Sequence, residues 1–434
     1  MNILVVGGGG REHALVRKLA ESPQHPTLFC APGNGGIAQD AACISIAASD
    51  VDGMTAWAVA NNMDYVVVAP DDPLVLGMVD ALAAKGIPAF GPNKRAALLE
   101  GSKVFSKNLM RKYHIPTAGY EVFDDANSAL IWLREHAVYP IVIKADGLAL
   151  GKGVLICENE QDAVSAVRSI MQDKKFGASG NQIVIEEFLT GPEVSVLSFT
   201  DGKTVVPMLS SMDHKRALDG DNGLNTGGMG AVAPNPYYTK DIAEVCMETI
   251  FKPTIAAMNS ENRPFQGCLY FGLMLTKKGP KVIEYNCRFG DPETQVVLPL
   301  LKSDLLAVMQ ATTNGTLADT AVQFSDRHAA CVVLASGGYP ERYETGKPIC
   351  GLVQGQLADS GASVYHAGTA LPADAAQDDV LVTSGGRVLG VTAVADTLFD
   401  AVADAYTAAD KITFEGCHKR TDIGQRALAA KGGK

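Results

Sequence analysis

A strand-like run over 281–283 is followed by the polar sequence Glu284-Tyr285-Asn286-Cys287-Arg288-Phe289-Gly290-Asp291-Pro292-Glu293. In an extended chain, residues two apart project from the same face, so Glu284 and Asn286 are expected to point the same way. A carboxylate and an amide oxygen are hard ligands of the kind that Mg²⁺ prefers. Arg288 adds a planar fork suited to phosphate or carboxylate. On these residues alone, the polar face of an edge strand stays open as the alternative.

Length and charge limit the possible functions. The chain has 434 residues, which is too long for one ordinary domain and indicates about two to four. Lys plus Arg total 37 and Asp plus Glu total 48, so the formal net charge is −11. This balance argues against nucleic acid as the main partner, because binding a phosphate backbone draws on basic excess. A small phosphorylated substrate needs only a local site and stays possible.

Cysteine usage and hydropathy bear on the compartment. Nine cysteines are dispersed without a C-x-x-C pair, which argues against a zinc ribbon or a redox motif. Such a set is typical of reduced thiols in a cytosol. No apolar run approaches the ~20 residues that span a bilayer, and no signal-peptide pattern opens the chain. We expect a cytoplasmic protein without a membrane partner. The sequence does not give the oligomeric state, and a monomer is our working expectation.

The first hundred residues alternate strands and helices in a half-Rossmann pattern. An apolar strand over 2–6 leads into the glycine run Gly7–Gly10, followed by Arg11 and a helix over 14–20. This geometry offers backbone N–H groups and a helix N-terminus to an anion. A nicotinamide site is not expected, because Glu12 breaks the Gly-x-Gly-x-x-Gly pattern. A site for one phosphate and a plain structural turn both stay open. Asn34 follows the second strand at the same edge, which favours a shared crevice.

Further elements of this segment are a strand over 64–70, a helix over 75–85 and a short strand over 88–91. A second helix begins at residue 101 and runs to 113, where Ile115-Pro116 stops it. Another helix is predicted over about 126–136.

A glycine-punctuated loop joins two strands, over 139–146 and 154–157. Such a pair forms a flap, and the loop's N–H groups together with Lys152 are suited to cover a polyphosphate. A lone lysine at a strand end usually lies on a solvated face. Beside the flap, however, Lys144 is predicted to contact phosphate, with Lys103 as a second candidate. The next strand, over 182–189, is placed to give backbone hydrogen bonds to an adenine edge, and Glu193 to hold ribose hydroxyls.

A polar stretch over 211–231 has almost no apolar periodicity. A loop this long inside a compact protein is either disordered or functional. It carries charges of both signs, as a site for a zwitterion needs. For His214 within it, a catalytic role and ordinary solvation both stay open.

The chain beyond residue 325 predicts a small α+β domain. Strand runs cover 328–335, 364–369 and 387–394, and we expect Asp396 to cap a helix that extends to about residue 411. His366 and Arg387 either line the cleft or have structural roles, and structural roles are favoured.

Together these motifs resemble the ATP-grasp fold and, more narrowly, the glycinamide ribonucleotide synthetase (phosphoribosylamine–glycine ligase) family. The resemblance covers nearly all 434 residues. It rests on six segments: Gly8–His13, Lys144–Ala149, Gly151–Val154, Asp213–Arg216, Asn225–Gly230 and Arg288–Glu293. Three positions depart from the family pattern: Met212 stands for Gln, Leu224 for Pro, and Asp71 for the Glu of Gly-Pro-Glu-x-Pro-Leu. The Asp71 departure puts the affinity for the ribosylamine in doubt.

The resemblance implies a multidomain protein of α/β and α+β class. It implies an N-terminal half-Rossmann domain over 1–100 that binds phosphoribosylamine. An ATP-grasp domain follows over 101–325, with its flap subdomain over about 120–190, and an α+β domain over 326–434 ends the chain.

The implied activity is ATP-dependent ligation of glycine to 5-phosphoribosylamine in purine biosynthesis. Its products are glycinamide ribonucleotide, ADP and phosphate, glycyl phosphate is the intermediate, and Mg²⁺ or Mn²⁺ is the cofactor. The alternatives are another ATP-grasp ligase of purine synthesis and a non-catalytic nucleotide-binding regulator.

The resemblance also implies roles for individual residues. The expected catalytic residues are Asp213, Arg288 and Lys144. The expected metal ligands are Glu284 and Asn286. Those expected to bind ATP are Lys103, Lys144, Gly151, Lys152, Gly153, Glu186, Glu187, Phe188, Leu189 and Glu193. Those expected to bind glycine or the ribosylamine are Gly8, Gly9, Gly10, Arg11, Asn34, Asp213, Lys215, Asn225, Gly227, Gly228, Arg288, Asp291 and Glu293.

Overall fold

The computed structural model describes residues 1–148, 153–352, 361–372 and 380–432. Its N-terminal part is a parallel five-stranded sheet in the order β3-β2-β1-β4-β5, which confirms the half-Rossmann prediction. The strands are β1 (Asn2–Gly7), β2 (Thr27–Pro32), β3 (Ala42–Cys43), β4 (Tyr65–Val68) and β5 (Ala89–Phe90). The helices are α1 (Gly10–Ala20), α2 (Val51–Ala60), α3 (Asp71–Leu76), α4 (Met78–Ala83) and α5 (Lys94–Gly101).

Two helices of this region differ from the sequence prediction. The helix expected over 75–85 is divided into α3 and α4, because Gly77 takes a φ of 99° and ends α3. The helix expected from residue 101 begins two residues later as α6 (Lys103–Lys112). Gly101 instead ends α5, which the sequence analysis missed. Ser102 directly follows the last residue of α5 and is the N-cap of α6, since its side chain accepts a hydrogen bond from the Phe105 N–H.

The flap region has its own antiparallel sheet, in the order β6-β9-β7-β8. Its strands are β6 (Tyr120–Phe123), β7 (Ile141–Ala145), β8 (Val154–Cys157) and β9 (Ile183–Glu187). Its helices are α7 (Ala126–His136) and α8 (Glu160–Val167), the latter continued by a π-helical turn. Gly151 and Lys152 lie outside the described residues.

A second antiparallel sheet, in the order β11-β10-β16-β17, contains the first residues of the polar sequence over 284–293. Its strands are β10 (Glu193–Asp201), β11 (Val205–Pro207), β16 (Gln266–Thr276) and β17 (Gly279–Asn286). The pairing of β16 with β17 steps from Gly272–Glu284 to Leu273–Val282, so Ile283 is an extra residue in a β-bulge. The bulge shifts the phase of burial: Val282 is buried before it and Tyr285 after it. Glu284 and Asn286 therefore share the accessible face.

The polar stretch over 211–231 is ordered. It contains β12 (Met212–Asp213), β13 (Arg216–Leu218), β14 (Asn222–Asn225) and β15 (Gly230–Ala233). Strands β13 and β14 form a hairpin, whereas β12 and β15 join a sheet in the order β12-β15-β18-β22-β19. The C-terminal sheet therefore includes strands from residues well before 326. Strand β15 was not predicted, because its sheet partner β18 lies about a hundred residues further along the chain. Strand β12 in turn pairs with β15.

The remaining elements complete the middle and C-terminal parts. The helices are α9 (Lys240–Cys246), α10 (Lys252–Ser260), α11 (Thr294–Val297), α12 (Leu305–Asn314), α13 (Leu398–Ala409) and α14 (Gln425–Gly432). The strands are β18 (His328–Ala335), β19 (Ala362–His366), β20 (Thr369–Ala370), β21 (Val382–Thr383) and β22 (Arg387–Ala395). The expectation that Asp396 caps α13 is wrong, because the Thr397 side chain accepts from the Asp400 N–H. No helix among the described residues is long and apolar enough to cross a bilayer.

Candidate active site

A buried cluster of three charged side chains lies where α6 meets the flap sheet. Glu186 on β9 pairs through Oε2 with Lys107 Nζ at 2.9 Å and through Oε1 with Lys144 Nζ at 3.0 Å. Burial lowers the pKa of Lys107 to about 8, although Glu186 opposes the shift. Burial would raise the pKa of Glu186, but the two lysines outweigh it and lower it. The solvated-face alternative for Lys144 is therefore wrong.

Lys103 and Lys144 both connect the flap to neighbouring elements, Lys103 from α6 and Lys144 from β7. Lys103 Nζ donates to the Gly147 carbonyl at 2.8 Å, and Lys144 Nζ donates to the Ile283 carbonyl at 3.1 Å. Burial lowers the pKa of Lys103. The Asp146 carboxylate receives the Ser102 hydroxyl and the Val104 N–H, which fixes the start of α6 against the flap. Both predicted phosphate-binding lysines therefore lie at one junction.

The predicted metal ligands face the same side of β17. Burial would raise the pKa of the Glu284 carboxyl, but Lys215, Lys144 and Lys103 outweigh it and lower it, so it is held ionised. The Asn286 amide is oriented through Nδ2, which donates to Glu100 Oε1 and to the Tyr285 carbonyl, both at 3.0 Å. No group of three or more His, Cys, Asp or Glu among the described residues could hold a metal ion. One carboxylate and one amide suit Mg²⁺, which usually keeps waters and substrate phosphates as its other ligands.

Arg288 follows this pair and is fixed at one end only. Its Nη2 lies 3.3 Å from Glu100 Oε1, and its Nη1 donates to the Phe289 carbonyl at 3.4 Å. Its Nε is buried and finds no partner in the described residues. An unpaired buried donor is unfavourable, so Arg288 fits a site that receives an anionic ligand.

Lys215 lies between the carboxylates of Glu193, predicted to bind the ribose of ATP, and Glu284, predicted to bind the metal. Its Nζ is 3.3 Å from Glu193 Oε2 and 3.8 Å from Glu284 Oε1. Glu193 is the largest cause of the strongly raised pKa of Lys215. The structure thus places this predicted substrate contact beside the predicted ribose and metal contacts.

Asp213 is the least satisfied acid of the site. Its Oδ1 is buried and finds no partner in the described residues. Burial raises its pKa well above the usual range, and the nearby Glu293 adds to the shift. Glu293 is itself buried and accepts from Ser195 Oγ at 3.3 Å. A cationic group brought beside Asp213 would satisfy both the orphan oxygen and the excess negative charge.

A cavity of about 620 Å³ separates the N-terminal sheet from the C-terminal domain. Its lining includes Gly8, Gly9, Asn34, Asp291, Thr369 and Arg387. Asn34 Nδ2 donates to the carbonyls of Gly8 at 2.9 Å and His366 at 2.8 Å, so it joins both walls. The shared crevice expected from the sequence is therefore present.

The glycine run differs from the prediction in how its donors are used. The Gly9 N–H donates to Glu12 Oε2 at 2.7 Å, so a side chain of the protein already occupies that donor. Arg11 is likewise engaged, by Glu12 Oε1 at 2.7 Å and by the Phe289 carbonyl at 3.2 Å. Neither Arg11 nor Gly10 is among the residues that line the cavity. Gly8 and Gly9 remain as its wall.

Arg387 connects the cavity to the acids. Its Nη2 pairs with Asp291 Oδ2 at 3.0 Å, and its Nη1 donates to the carbonyls of Gly227 at 2.9 Å and Asp291 at 2.7 Å. A methyl group on the adjacent Gly228 would lie 2.7 Å from Asp213 Oδ1. The preference for a purely structural Arg387 was therefore too narrow, because this side chain also lines the cavity.

Other predicted site residues lie at the margins. Glu187 is half exposed, and its carboxylate receives the Gly119 N–H and Lys281. Phe188 and Leu189 follow β9, Gly153 precedes β8, and Asn225 ends β14. His214 is buried rather than solvated: its Nδ1 lies 3.2 Å from the Gly230 carbonyl, and its Nε2 accepts from the Gly424 N–H. Burial lowers its pKa to about 4, so it is neutral at pH 7 and ties the loop to the C-terminal domain.

Two residues of the site were not predicted from the sequence: Glu100 and Lys107. Glu100 lies on α5, an unpredicted helix, and its partners are 186 and 187 residues away. Lys107 stands one turn after Lys103, and that spacing was the one signal that could have suggested it.

Comparison with known proteins gives the family. The phosphoribosylglycinamide synthetase models match three segments of the chain: the N domain at 1–100, the ATP-grasp (A) domain at 101–294 and the C domain at 329–426. The chain belongs to the phosphoribosylglycinamide synthetase family. A phosphoribosylamine–glycine ligase from Caldanaerobacter subterraneus subsp. tengcongensis is 46% identical over 98% of this chain and 99% of its own length.

Solved structures agree with this assignment. The crystal structure of phosphoribosylamine–glycine ligase from Thermotoga maritima is 33% identical, with a TM-score of 0.84 over 98% of this chain and all of that chain. A biotin carboxylase from Campylobacter jejuni is 16% identical, with a TM-score of 0.72 over 96% of this chain and 92% of that chain, and shows the fold alone. The architecture is thus an ATP-grasp core between N and C domains, and this synthetase uses ATP.

Proposed function

We propose that this synthetase joins glycine to 5-phosphoribosylamine, with conversion of ATP to ADP and phosphate, and releases glycinamide ribonucleotide. Family membership over nearly the whole chain supports this activity. The observation that carries it is the contact between two sites. Arg387 binds Asp291 in the cavity wall and the carbonyl of Gly228, which lies beside Asp213. In this proposal an acceptor in the cavity therefore meets an activated glycine at these acids.

Activation of glycine comes first, because a carboxylate is a poor electrophile. A glycine carboxylate oxygen attacks the γ-phosphorus of ATP, the bond to the β,γ-bridging oxygen breaks, and ADP leaves. Phosphoryl transfer depends mainly on positioning and charge neutralisation. Lys103 and Lys144, at the flap junction, neutralise the phosphates, and Arg288 offers its unpaired Nε to the transferring group.

A divalent cation, Mg²⁺ or Mn²⁺, completes the phosphate site. We assign Glu284 and Asn286 as its protein ligands, since the bulge in β17 turns both to one face and Glu284 is held ionised. When bound, the cation supplies positive charge to the ATP phosphates. Lys215 lies beside Glu284 and adds a second positive charge at the same point.

Glycine itself is held by its ammonium group. Asp213 is the proposed partner, because its orphan buried oxygen and strongly raised pKa both favour an incoming cation. A glycine ammonium beside it lowers that pKa and leaves the pair charged and matched.

Ligation follows at the cavity. The amine nitrogen of the ribosylamine attacks the acyl carbon of glycyl phosphate, phosphate leaves with the bonding electron pair, and the nitrogen loses one proton. In this proposal the carboxylate of Glu293, which lies near Asp213, takes that proton. Asp291 and Gly8, in the cavity wall, contact the sugar phosphate in this proposal. We further propose that the protein acts in the cytoplasm as a monomer.

A coupled assay of ADP release tests the activity, with freshly generated ribosylamine present and glycine omitted and then restored. ADP formation is expected only with glycine. ADP formed without glycine but with bicarbonate or formate would contradict the proposal. Two variants divide the site. Glu284→Gln is expected to weaken the dependence of ADP formation on the metal and on ATP. Asp291→Asn is expected to raise the ribosylamine KM with little change in the ATP KM.

A further inference from the structure

Glu100 is a buried acid that receives three consecutive residues of the central stretch. Its Oε2 accepts the Cys287 N–H at 2.6 Å, and its Oε1 accepts Asn286 Nδ2 at 3.0 Å. The same Oε1 lies 3.3 Å from Arg288 Nη2. One carboxylate therefore fixes a backbone position, an amide and a guanidinium at the point where β17 ends.

Glu100 is shielded from solvent and interacts with protein groups instead of water. Only 7% of the residue is exposed, and burial, its largest perturbation, raises its pKa. Asp71 adds negative charge nearby and Arg288 opposes it. A buried carboxylate is unfavourable unless its hydrogen-bond partners are in place, so their geometry is tightly determined.

Glu100 also stands at a junction that reaches the other half of the site. It precedes Gly101, the last residue of α5, and Ser102, which caps α6 and binds Asp146. Lys103, the next residue, donates to the flap at Gly147. The same short turn thus delivers Lys103 to the flap and Glu100 to the end of β17.

We propose that Glu100 is a positioning residue of the nucleotide site, which holds the Asn286 amide and the Arg288 guanidinium in one orientation toward the metal and the transferring phosphoryl group. The inference rests on the proposed function, because that function assigns Asn286 to the metal and Arg288 to the phosphoryl group. Glu100 itself contacts neither the metal nor the phosphoryl group. It acts through its contacts with Asn286 and Arg288.

The isosteric variant Glu100→Gln is informative because it cannot satisfy all three donors. If its oxygen faces the Cys287 N–H, its NH₂ group meets Asn286 Nδ2 and Arg288 Nη2, which are also donors. If the amide is reversed, the Cys287 N–H is left unpaired. Loss of a partner that orients a metal ligand typically weakens metal affinity or activity by about 10- to 100-fold.

The matched control is Asp201→Asn, which changes a buried acid whose hydrogen-bond partners do not include Asn286, Cys287 or Arg288. Asp201 Oδ1 accepts the N–H groups of Lys203 and Thr204, and its Oδ2 accepts that of Leu317. It shares with Glu100 the task of fixing a backbone turn at the end of an element. Asp201→Asn therefore reports the effect of lost stability without a change at the metal ligands.

The experiment measures ATP binding to the intact protein by calorimetry, with Mg²⁺ and with a chelator, beside the Mg²⁺ dependence of ADP formation. Glu100→Gln is expected to weaken Mg²⁺–ATP binding by about 10-fold or more, and to weaken metal-free ATP binding less. Asp201→Asn should lower the melting temperature and leave both affinities unchanged. If Glu100→Gln lowers only the melting temperature, as the control does, the positioning role is overturned.

The variant Glu284→Gln distinguishes a failure of the positioning role of Glu100 from a failure of the proposed metal site. If Glu284→Gln loses the Mg²⁺ dependence of binding and Glu100→Gln keeps it, the positioning role alone fails. If Glu284→Gln also keeps the wild-type metal dependence, the proposed metal site fails, and the inference fails with it.

Discussion

At the scale of single residues, the site is organised by acidic side chains that form ion pairs with lysine and arginine side chains, largely shielded from solvent. Glu186 binds Lys107 and Lys144, Glu100 binds Arg288, and Asp291 binds Arg387. Desolvation makes each buried ion unfavourable alone, so each pair is retained only with good geometry. Such pairs fix where positive charge lies before a polyphosphate arrives.

The first prediction concerns Lys107→Met. The substitution leaves Glu186 Oε2 buried without its ammonium partner, and removal of one member of a buried pair typically destabilises by about 3 kcal/mol or more. We expect a loss of that size in the free energy of unfolding from urea denaturation. The control is Lys112→Met, because the Lys112–Glu261 pair is exposed to solvent and its loss is expected to change stability much less. Equal losses in the free energy of unfolding for the two variants would contradict a special contribution of the buried cluster to stability.

At the scale of elements, the hairpin β13–β14 depends on the C-terminal end of the chain. Arg420, which is 1% exposed, pairs with Asp221 at 2.9 Å and Asp422 at 2.7 Å and donates to the Arg216 carbonyl. Thr421 N–H donates to Asp219, and His418 lies 2.8 Å from the Ala217 carbonyl. This anchoring explains why a polar stretch with no hydrophobic face is ordered.

The second prediction follows from this anchor. Arg420→Met removes the buried guanidinium that joins Asp221 to Asp422 and leaves Asp221 with the more exposed Arg426 alone, so we expect faster amide hydrogen exchange across residues 216–225. The glycine KM is expected to rise as well, since Asp213 and Lys215 lie just before the hairpin. Arg327→Met is the matched control, because the Arg327–Asp396 pair is exposed. Unchanged exchange in the hairpin would contradict the anchoring role.

Sequence patterns predicted the elements whose periodicity is local. Helix α7 spans the predicted residues, and Glu284 and Asn286 share a face as expected from strand geometry. The patterns failed where long-range partners decide the structure. Strand β15 pairs with β18 across a hundred residues, and Glu100 acts on residues of β17. The engagement of Arg11 by Glu12 was equally hidden, because two adjacent residues give no periodic signal.

At the scale of the whole molecule, buried histidines link the parts of the chain. His13 on α1 pairs with Asp40, and its Nδ1 accepts the His366 N–H of the C-terminal domain at 2.8 Å. His214 joins the polar stretch to the Gly424 N–H. Burial lowers the pKa of His366 to about 3, with His13 and Arg17 adding to the shift, so this histidine too is neutral at pH 7.

The third prediction is the pH dependence of stability. The unfolded chain binds protons at these histidines below about pH 6.5, whereas the folded protein binds them only near pH 4 at His214 and pH 3 at His366. Their contribution to stability is therefore complete above pH 6.5 and is lost as the pH falls. Each histidine is expected to contribute a slope of about 1.4 kcal/mol per pH unit.

Urea denaturation of the protein and of His214→Gln at pH 7, 6 and 5 measures this slope as a difference, in which carboxyl groups of raised pKa such as Asp213 cancel. His214→Gln is expected to be less stable at pH 7 and to reduce the slope by one histidine's share. His25→Gln is the control, because His25 is an exposed histidine. A slope that His214→Gln leaves unchanged would contradict the assignment.

The last prediction tests whether the packing of the N-terminal and C-terminal domains shapes the acceptor cavity. Gly36 follows Asn34 and has a φ of −82° and a ψ of −41°, which alanine adopts without strain. A methyl group there would come within 2.0 Å of His366 Cγ, so the two domains must move apart or the imidazole must shift. Overpacking of this kind typically destabilises by about 1–3 kcal/mol.

Because Asn34 and Gly35 line the cavity, Gly36→Ala is expected to raise the KM for the ribosylamine and to leave Mg²⁺–ATP binding unchanged. Steady-state kinetics with each substrate varied in turn, beside calorimetry with Mg²⁺–ATP, measures both effects. Gly119→Ala is the control, since its methyl group would meet nothing closer than Glu187 Oε2 at 3.8 Å. If Gly36→Ala is less stable yet keeps the wild-type ribosylamine KM, the cavity does not hold the acceptor. The contact through Arg387 would then serve only to pack the domains.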